Sequence, residues 1–245
     1  MSLTNDPAVP HVLTTFNTPL TSTIEAQLDA SYLFYTRPFQ LTPAQFTTAL
    51  AQRVNLLAPH LSMVGTKCNC GHIHSEHDEA TIQHILKCDM ATRVTHTTRH
   101  NMVRDTIARV ARDYGITVTK EPTCFKYDDG RNHRPDILFH TLPFGLCTDV
   151  TLVDQDRSMQ EAEKIKKDTH TRPCANANCT FMPFAMFTKG TLGPAAMEFI
   201  RTLSKAVEPA LVNSFRKELT HNVSIAAARG RADALTSAAM NRRFQ

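Results

Sequence analysis

Long apolar runs are missing from this 245-residue chain. No window approaches the roughly 18 apolar residues that a membrane span requires, and the opening MSLTNDPAVPHVLTTFNTPL has neither the basic nor the apolar stretch of a secretion signal. Strong charge of one sign is also missing: a net +4 permits a nucleic-acid partner without demanding one. Aromatic residues are few, at 7% with no tryptophan, so any contact with nucleic acid is expected to be chiefly electrostatic and weakly sequence-selective. An even cysteine count at regular spacing is absent as well. The seven cysteines are odd in number and unevenly placed, which argues for reduced thiols and metal ligation over a disulfide framework. These absences together point to a soluble protein of the cytosol or nucleus, with no membrane partner. What is present, 42% hydrophobic residues over this length, suffices for one sizeable α/β core with an appendage.

Residues 1–38 are rich in Thr, Pro and Asn and read as a flexible lead-in. From Leu41, LTPAQFTTALAQRVNLL offers Thr42 as a cap and Pro43 at the first helical position. Phe46, Leu50 and Val54 follow at spacings of four, which predicts an amphipathic helix. A helix is also expected over 99–114, with Val103, Ile107, Val110 and Tyr114 on one face and Gly115 as its stop. The period then changes. ITVTKEPTCFKY, RPDILFH and LCTDVTLV read as three successive strands in a meander, followed by a charged helix over 158–170 and TFMPFAMFT as a fourth strand. PAAMEFIRTLSKAV is expected to be a helix with Met197, Ile200 and Leu203 inward, and 210–228 another, with a fraying or linking tail after Gly230. No internal repeat is visible. The expected organisation is 1–38 lead-in, 39–98 helix plus a Cys/His-rich element, 99–210 an α/β core and 211–245 a C-terminal helical extension.

Two groups of residues resist explanation by packing. Cys68, Cys70, His84 and Cys88 supply three thiolates and an imidazole, the ligand set that tetrahedral structural zinc prefers. His84 is favoured as the fourth ligand because IQHILKC reads as a helix that presents it on one face with Cys88; His72, His74 and His77 remain alternatives. The second group is acidic. Asp136 follows Pro135 at the head of one strand, and Asp149 lies within the next. If these strands are antiparallel neighbours, both carboxylates reach one end of the sheet, where two carboxylates plus waters suit magnesium or manganese. A carboxylate at an interior strand position is costly to bury without compensation, so Asp149 calls for an explanation. Cys174 and Cys179 frame CANANC and read as loop thiols.

The order of these pieces resembles the restriction-like endonuclease domain of site-specific non-LTR retrotransposons, a branch of the PD-(D/E)XK nuclease superfamily. The matching series runs from about Phe39 to Leu203: the first helix, CNCG with HILKC, RHNMVRD, the EP of TKEP, RPDIL, DVTLV, EAEKIKKD and FMPFAMFTKGTLGPAA. The resemblance implies an α/β fold with a restriction-endonuclease-like mixed β-sheet flanked by helices, preceded by a helical segment and a CCHC zinc knuckle. It implies metal-dependent cleavage of DNA, with Asp136 and Asp149 as magnesium ligands and Glu121 as an auxiliary one. Arg99, His100 and Lys166 are then expected to contact DNA. Val150 and Thr151 follow Asp149, so the strand lacks the superfamily lysine. The branch supplies it from the next helix, where Lys164, with Lys167 second, takes the role; these two share a helical face that Lys166 does not. Asp168 stands where relatives carry a tyrosine. The chain starts with Met and lacks a reverse-transcriptase motif, so it is expected to be either a polyprotein fragment or a stand-alone relative.

Overall fold

The computed structural model describes residues 41–53, 58, 61, 65–74, 79–88, 90, 96–127, 133–141, 143–154 and 156–242. The expected lead-in, Val54 and His77 lie outside these residues. Two compact bodies divide the chain: one takes in the described residues up to His96 together with those from Arg231, the other spans Thr97–Gly230. Among the described residues no helix is long and apolar enough to cross a membrane.

The first body contains α1 (Pro43–Arg53) and α2 (Glu79–Lys87). Thr42 and Gln45 cap α1 reciprocally: the Gln45 amide donates to Thr42 Oγ1 at 3.2 Å and the Thr42 amide to Gln45 Oε1 at 2.8 Å. The inward face of α1 differs from the apolar spacing of four. Leu50 is 54% exposed and Phe46 half-buried, whereas Thr48 and Gln52 are buried. The cause is polar pairing with the chain's last helix: Gln52 Oε1 accepts from Arg231 and Gln45 donates to Asp233 at 2.7 Å, and these bonds orient α1 in place of Leu50. Leu61, Ile82, Ile85 and Leu86 form this body's apolar cluster with Ala234, Leu235 and Ala238.

The second body is mixed α/β. Its elements are α3 (His96–Asp113), β1 (Val118–Lys120), β2 (Ile137–Phe139), β3 (Gly145–Thr148), β4 (Val150–Val153), α4 (Met159–Asn176), β5 (Cys179–Phe181), β6 (Phe184–Phe187) and α5 (Pro194–Leu203). Two 3₁₀ turns follow before α6 (Val212–Arg242), whose residues up to Gly230 belong to this body and those from Arg231 to the first. Strands β1, β2 and β3 form the expected antiparallel meander, and β3 pairs in parallel with β5 across α4. Strand β4 pairs in parallel with β6. Gly145 faces Cys179 and Val150 faces Phe184, a constant offset of 34 residues, so the two parallel ladders are one pairing with a gap. The gap falls at Asp149 on one side and at Met182 and Pro183 on the other; proline has no amide proton to give a ladder. Each long run read as a single strand is thus two short ones.

Side chains alternate across the sheet with a period of two. Ile137, Phe139 and Leu146 join Val103, Ile107, Phe184, Phe199, Leu203, Phe215 and Leu219 in the main core. Leu138 and Cys147 point to the other face, where they meet Phe125, Cys174 and Phe181. Burying Phe139, Phe184 and Phe199 fully contributes roughly 1.5–3 kcal/mol each. In α5 the inward stripe is Ala196, Phe199, Ile200 and Leu203; Met197, one step off that stripe, is 49% exposed and not inward as its apolar character suggests. Helix α6 continues to Arg242 in place of fraying after Gly230. Gly230 sits inside it because a Cβ there would lie 3.2 Å from Arg99 Cγ and 3.3 Å from Met102 Sδ, and the alanines beyond it are buried.

Candidate functional site

Helix α4 decides the geometry of the acidic site. Ser158 caps it, accepting from the Glu161 amide at 3.2 Å, and its buried positions are Met159, Glu163, His170 and Cys174. Glu163 Oε1 accepts from the Ala195 amide at 3.0 Å and so caps α5; a Cβ at Gly193 would meet the same oxygen at 2.5 Å. Lys166 lies three residues after Glu163 and four before His170, so it shares their inward face. Lys164 and Lys167 consequently face outward. Lys164 is 77% exposed and 3.8 Å from Asp168, Lys167 is exposed, and the lysine against the acids is Lys166. This corrects the expectation that Lys164 or Lys167 looks back at the carboxylates and that Lys166 turns away.

Asp136 and Asp149 occupy facing positions one step beyond the last β2–β3 pair, Ile137 with Thr148. Asp136 Oδ2 accepts from the Val150 amide at 2.7 Å, which draws it to the gap in the neighbouring strand, and from His100 Nε2 at 2.9 Å. Asp149 Oδ1 lies 2.7 Å from Lys166 Nζ and its Oδ2 lies 3.0 Å from His170 Nε2. Tyr127 completes this line, its hydroxyl 2.6 Å from His170 Nδ1. Ligand atoms of His100, Asp136 and Asp149 lie within 4.8 Å of one another, a grouping that could hold a metal ion.

The electrostatics follow from these contacts. Burial opposes ionisation of Asp149, yet the His170 hydrogen bond and the Lys166 charge outweigh it and hold its pKa below the ordinary carboxylate value. Burial likewise opposes protonation of His100, but the bond and charge of Asp136 prevail and raise its pKa. His100 and Lys166 therefore belong to the acid cluster and are not detached surface contacts. Arg99 is only 4% exposed, and burial lowers its pKa against the pull of Asp154, which removes it from the surface contacts expected.

Glu121 does not join the cluster. Its Oε1 accepts from Arg104 Nη1 at 2.5 Å and its Oε2 from Arg134 Nη2 at 2.6 Å, so two guanidiniums occupy the carboxylate expected to be an auxiliary ligand. Its backbone adopts φ +47° while its amide donates to the Asp136 carbonyl at 2.7 Å. Glu121 thus ties the segment that carries Asp136.

The sequence alone does not single out His170 or Tyr127. The available signal is the four-residue spacing from Lys166 to His170; Tyr127 carries none. Cys174 and Cys179 lie in α4 and β5 rather than in a loop. A hydrogen bond with the Cys174 thiol, and then burial, push the Cys147 pKa far up, so Cys147 packs as a neutral group.

The first body carries the second cluster. A tight hairpin, with Lys67 bridged to Ile73, the Cys68 amide bonded to the His72 carbonyl at 2.7 Å and the Gly71 amide to the Cys68 carbonyl at 2.8 Å, presents Cys68 and Cys70. His84 on α2 and Cys88 just past its end follow one turn apart. Cys68 Sγ is 3.8 Å from Cys88 Sγ, and Cys70 Sγ is 3.4 Å from His84 Nε2. These four residues could hold a metal ion. Of the alternative ligands, His72 stacks on the His84 ring at 4.0 Å and His74 meets both rings edge-on, so they brace His84 and do not join the four.

No known family model matches the chain, and no curated protein matches it.

Proposed function

We propose that the chain is a metal-dependent endonuclease that hydrolyses phosphodiester bonds in DNA, of the restriction-like kind associated with non-LTR retrotransposons. One observation carries this reading: two strand-end carboxylates converge, and a lysine from the next helix stands 2.7 Å from one of them. Two like charges brought this close suit a divalent cation, magnesium or manganese. When bound, such a cation would supply Lewis-acid polarisation of the phosphate and a more acidic water.

The chain's own groups have separable roles. Asp136 and Asp149 would hold the ion. Lys166 offers a positive charge to the attacking water or a phosphate oxygen, the role the strand leaves unfilled at Thr151. His170, steadied by Tyr127, fixes the second oxygen of Asp149 so that Lys166 keeps one orientation toward it. Lys164 and Lys167, exposed on the far face of α4, are suited to contact the DNA backbone diffusely.

For the knuckle we propose structural zinc. A tetrahedral ion with Zn–S bonds of ~2.3 Å spaces two sulfurs about 3.8 Å apart. The Cys68 to Cys88 separation of 3.8 Å fits that edge. Incubating purified protein with supercoiled plasmid in magnesium, in manganese and in EDTA tests the central reading. Metal-dependent nicking is expected; a retarded but intact plasmid in every condition would instead make the chain a binding or assembly module.

A further inference from the structure

With Glu121 taken by Arg104 and Arg134, the third atom facing the two carboxylates is the imidazole nitrogen of His100. Its Nε2 lies 2.9 Å from Asp136 Oδ2, and a ring nitrogen of His100 lies within 4.8 Å of ligand atoms of both Asp136 and Asp149. Its other nitrogen is engaged: Nδ1 is 3.2 Å from Asn101 Oδ1. A metal-binding histidine commonly gives its remaining N–H to an oxygen acceptor, which fixes the ring and leaves the opposite nitrogen for the ion. Asn101 meets that requirement from the adjacent position on α3. Asp149 is 6% exposed, so two partly or fully buried carboxylates and an imidazole converge where water can contribute few ligands of its own.

An imidazole changes which cation the site prefers. Magnesium and calcium are hard ions that favour oxygen, and magnesium sheds water reluctantly. Imidazole suits zinc, copper, iron and nickel, and manganese, which shares magnesium's liking for carboxylates, accepts it more readily than magnesium or calcium does. We propose that His100 Nε2 completes a two-carboxylate, one-imidazole ligand set with Asp136 and Asp149, and that this set takes a transition-metal ion of the manganese class in preference to magnesium or calcium. On binding, Nε2 exchanges the proton it shares with Asp136 for the ion, while the Nδ1 contact to Asn101 is kept. The proposal deepens the endonuclease reading but rests on ligand atoms alone, so it can be tested without DNA.

The experiment is a manganese titration of the full-length, zinc-loaded protein by electron paramagnetic resonance, with magnesium and calcium as competitors. Wild-type protein is expected to bind one manganese ion at least about tenfold more tightly than magnesium, and pulsed spectra should show nitrogen coupling to the ion. His100→Ala should abolish the nitrogen coupling and lose most of the preference, whereas His170→Gln should keep both. Absence of nitrogen coupling in the wild-type complex, which requires no variant, would overturn the proposal. So would an undiminished preference in a folded His100→Ala protein, as judged by circular dichroism. If manganese binds as proposed but plasmid stays intact, the endonuclease reading fails and the ligand set stands.

Discussion

The knuckle and the acidic site are both candidate metal centres, yet they are built in opposite ways. In the knuckle, a short hairpin and the end of one helix bring four soft or borderline donors together from within 21 residues of chain. In the acidic site, two hard carboxylates arrive from the head of β2 and from the gap between β3 and β4, a borderline imidazole arrives from α3, and α4 supplies the cation beside them. The first kind of site is written in local spacing. The second is written in tertiary packing, and its carboxylates also serve the fold, since Asp136 accepts a backbone amide and Asp149 holds two side chains. Local sites should therefore fail by losing their metal, and distributed sites by losing their chemistry.

The largest expected effect tests that contrast directly. Asp149→Ala should lower plasmid nicking by roughly two to three orders of magnitude, while elemental analysis finds as much zinc as in wild type. Loss of zinc in the same variant would break the comparison. The converse variant, Cys68→Ser, should release the proposed zinc and lower the stability of the first body by roughly several kcal/mol, since binding at a structural zinc site is coupled to folding. Hydrogen exchange in β2 and β3 should stay near wild type; equal loss of protection in both bodies would show that the knuckle is not an independent unit.

A smaller effect separates the lysines. Lys166→Met is expected to slow turnover about a hundredfold under saturating DNA. Lys164→Met and Lys167→Met should each leave turnover within a few-fold and instead reduce the salt dependence of DNA affinity by about one unit. Three equally mild defects would mean that α4 only holds substrate.

The smallest is a pH effect in ion-free protein. His100 gains a carboxylate partner on folding, which raises its pKa, so its contribution to stability is fully present below the ordinary imidazole value of 6.5. It fades as pH rises through the higher folded value. The melting temperature should fall across the window just above pH 6.5 more steeply in wild type than in His100→Gln; parallel curves would remove His100 from the balance.

The Cys/His cluster is legible in the sequence because the signal is the spacing itself: two cysteines on a turn, and a histidine and cysteine one helical turn apart. The meander is legible through its period-two alternation, and with it the meeting of Asp136 and Asp149. The orientation of α4 is not. Its inward positions include Glu163, Lys166 and His170, so no apolar stripe marks the buried side, and the lysines that resemblance favours fall on the wrong face. Leu50 misleads for a related reason, since Gln45 and Gln52 bond to Asp233 and Arg231 across 188 and 179 residues of sequence, beyond any local pattern. Tyr127 reaches His170 in the same long-range way. Gly230 reads as a helix stop by propensity, but the space it leaves for Arg99 and Met102 keeps it within α6.

The ring of partners around the two acids has one more consequence. Asp149 rests on an ammonium and an imidazole, and Asp136 on an imidazole and an amide, so the carboxylates arrive with resident counter-ions. Like-charge repulsion is already answered in the ion-free state, and the core can assemble before any cation is captured. An ion entering there would have to displace occupants, not fill a vacancy. On the proposed reading the site would act as an exchanger, the ion taking the place of the proton that His100 shares with Asp136.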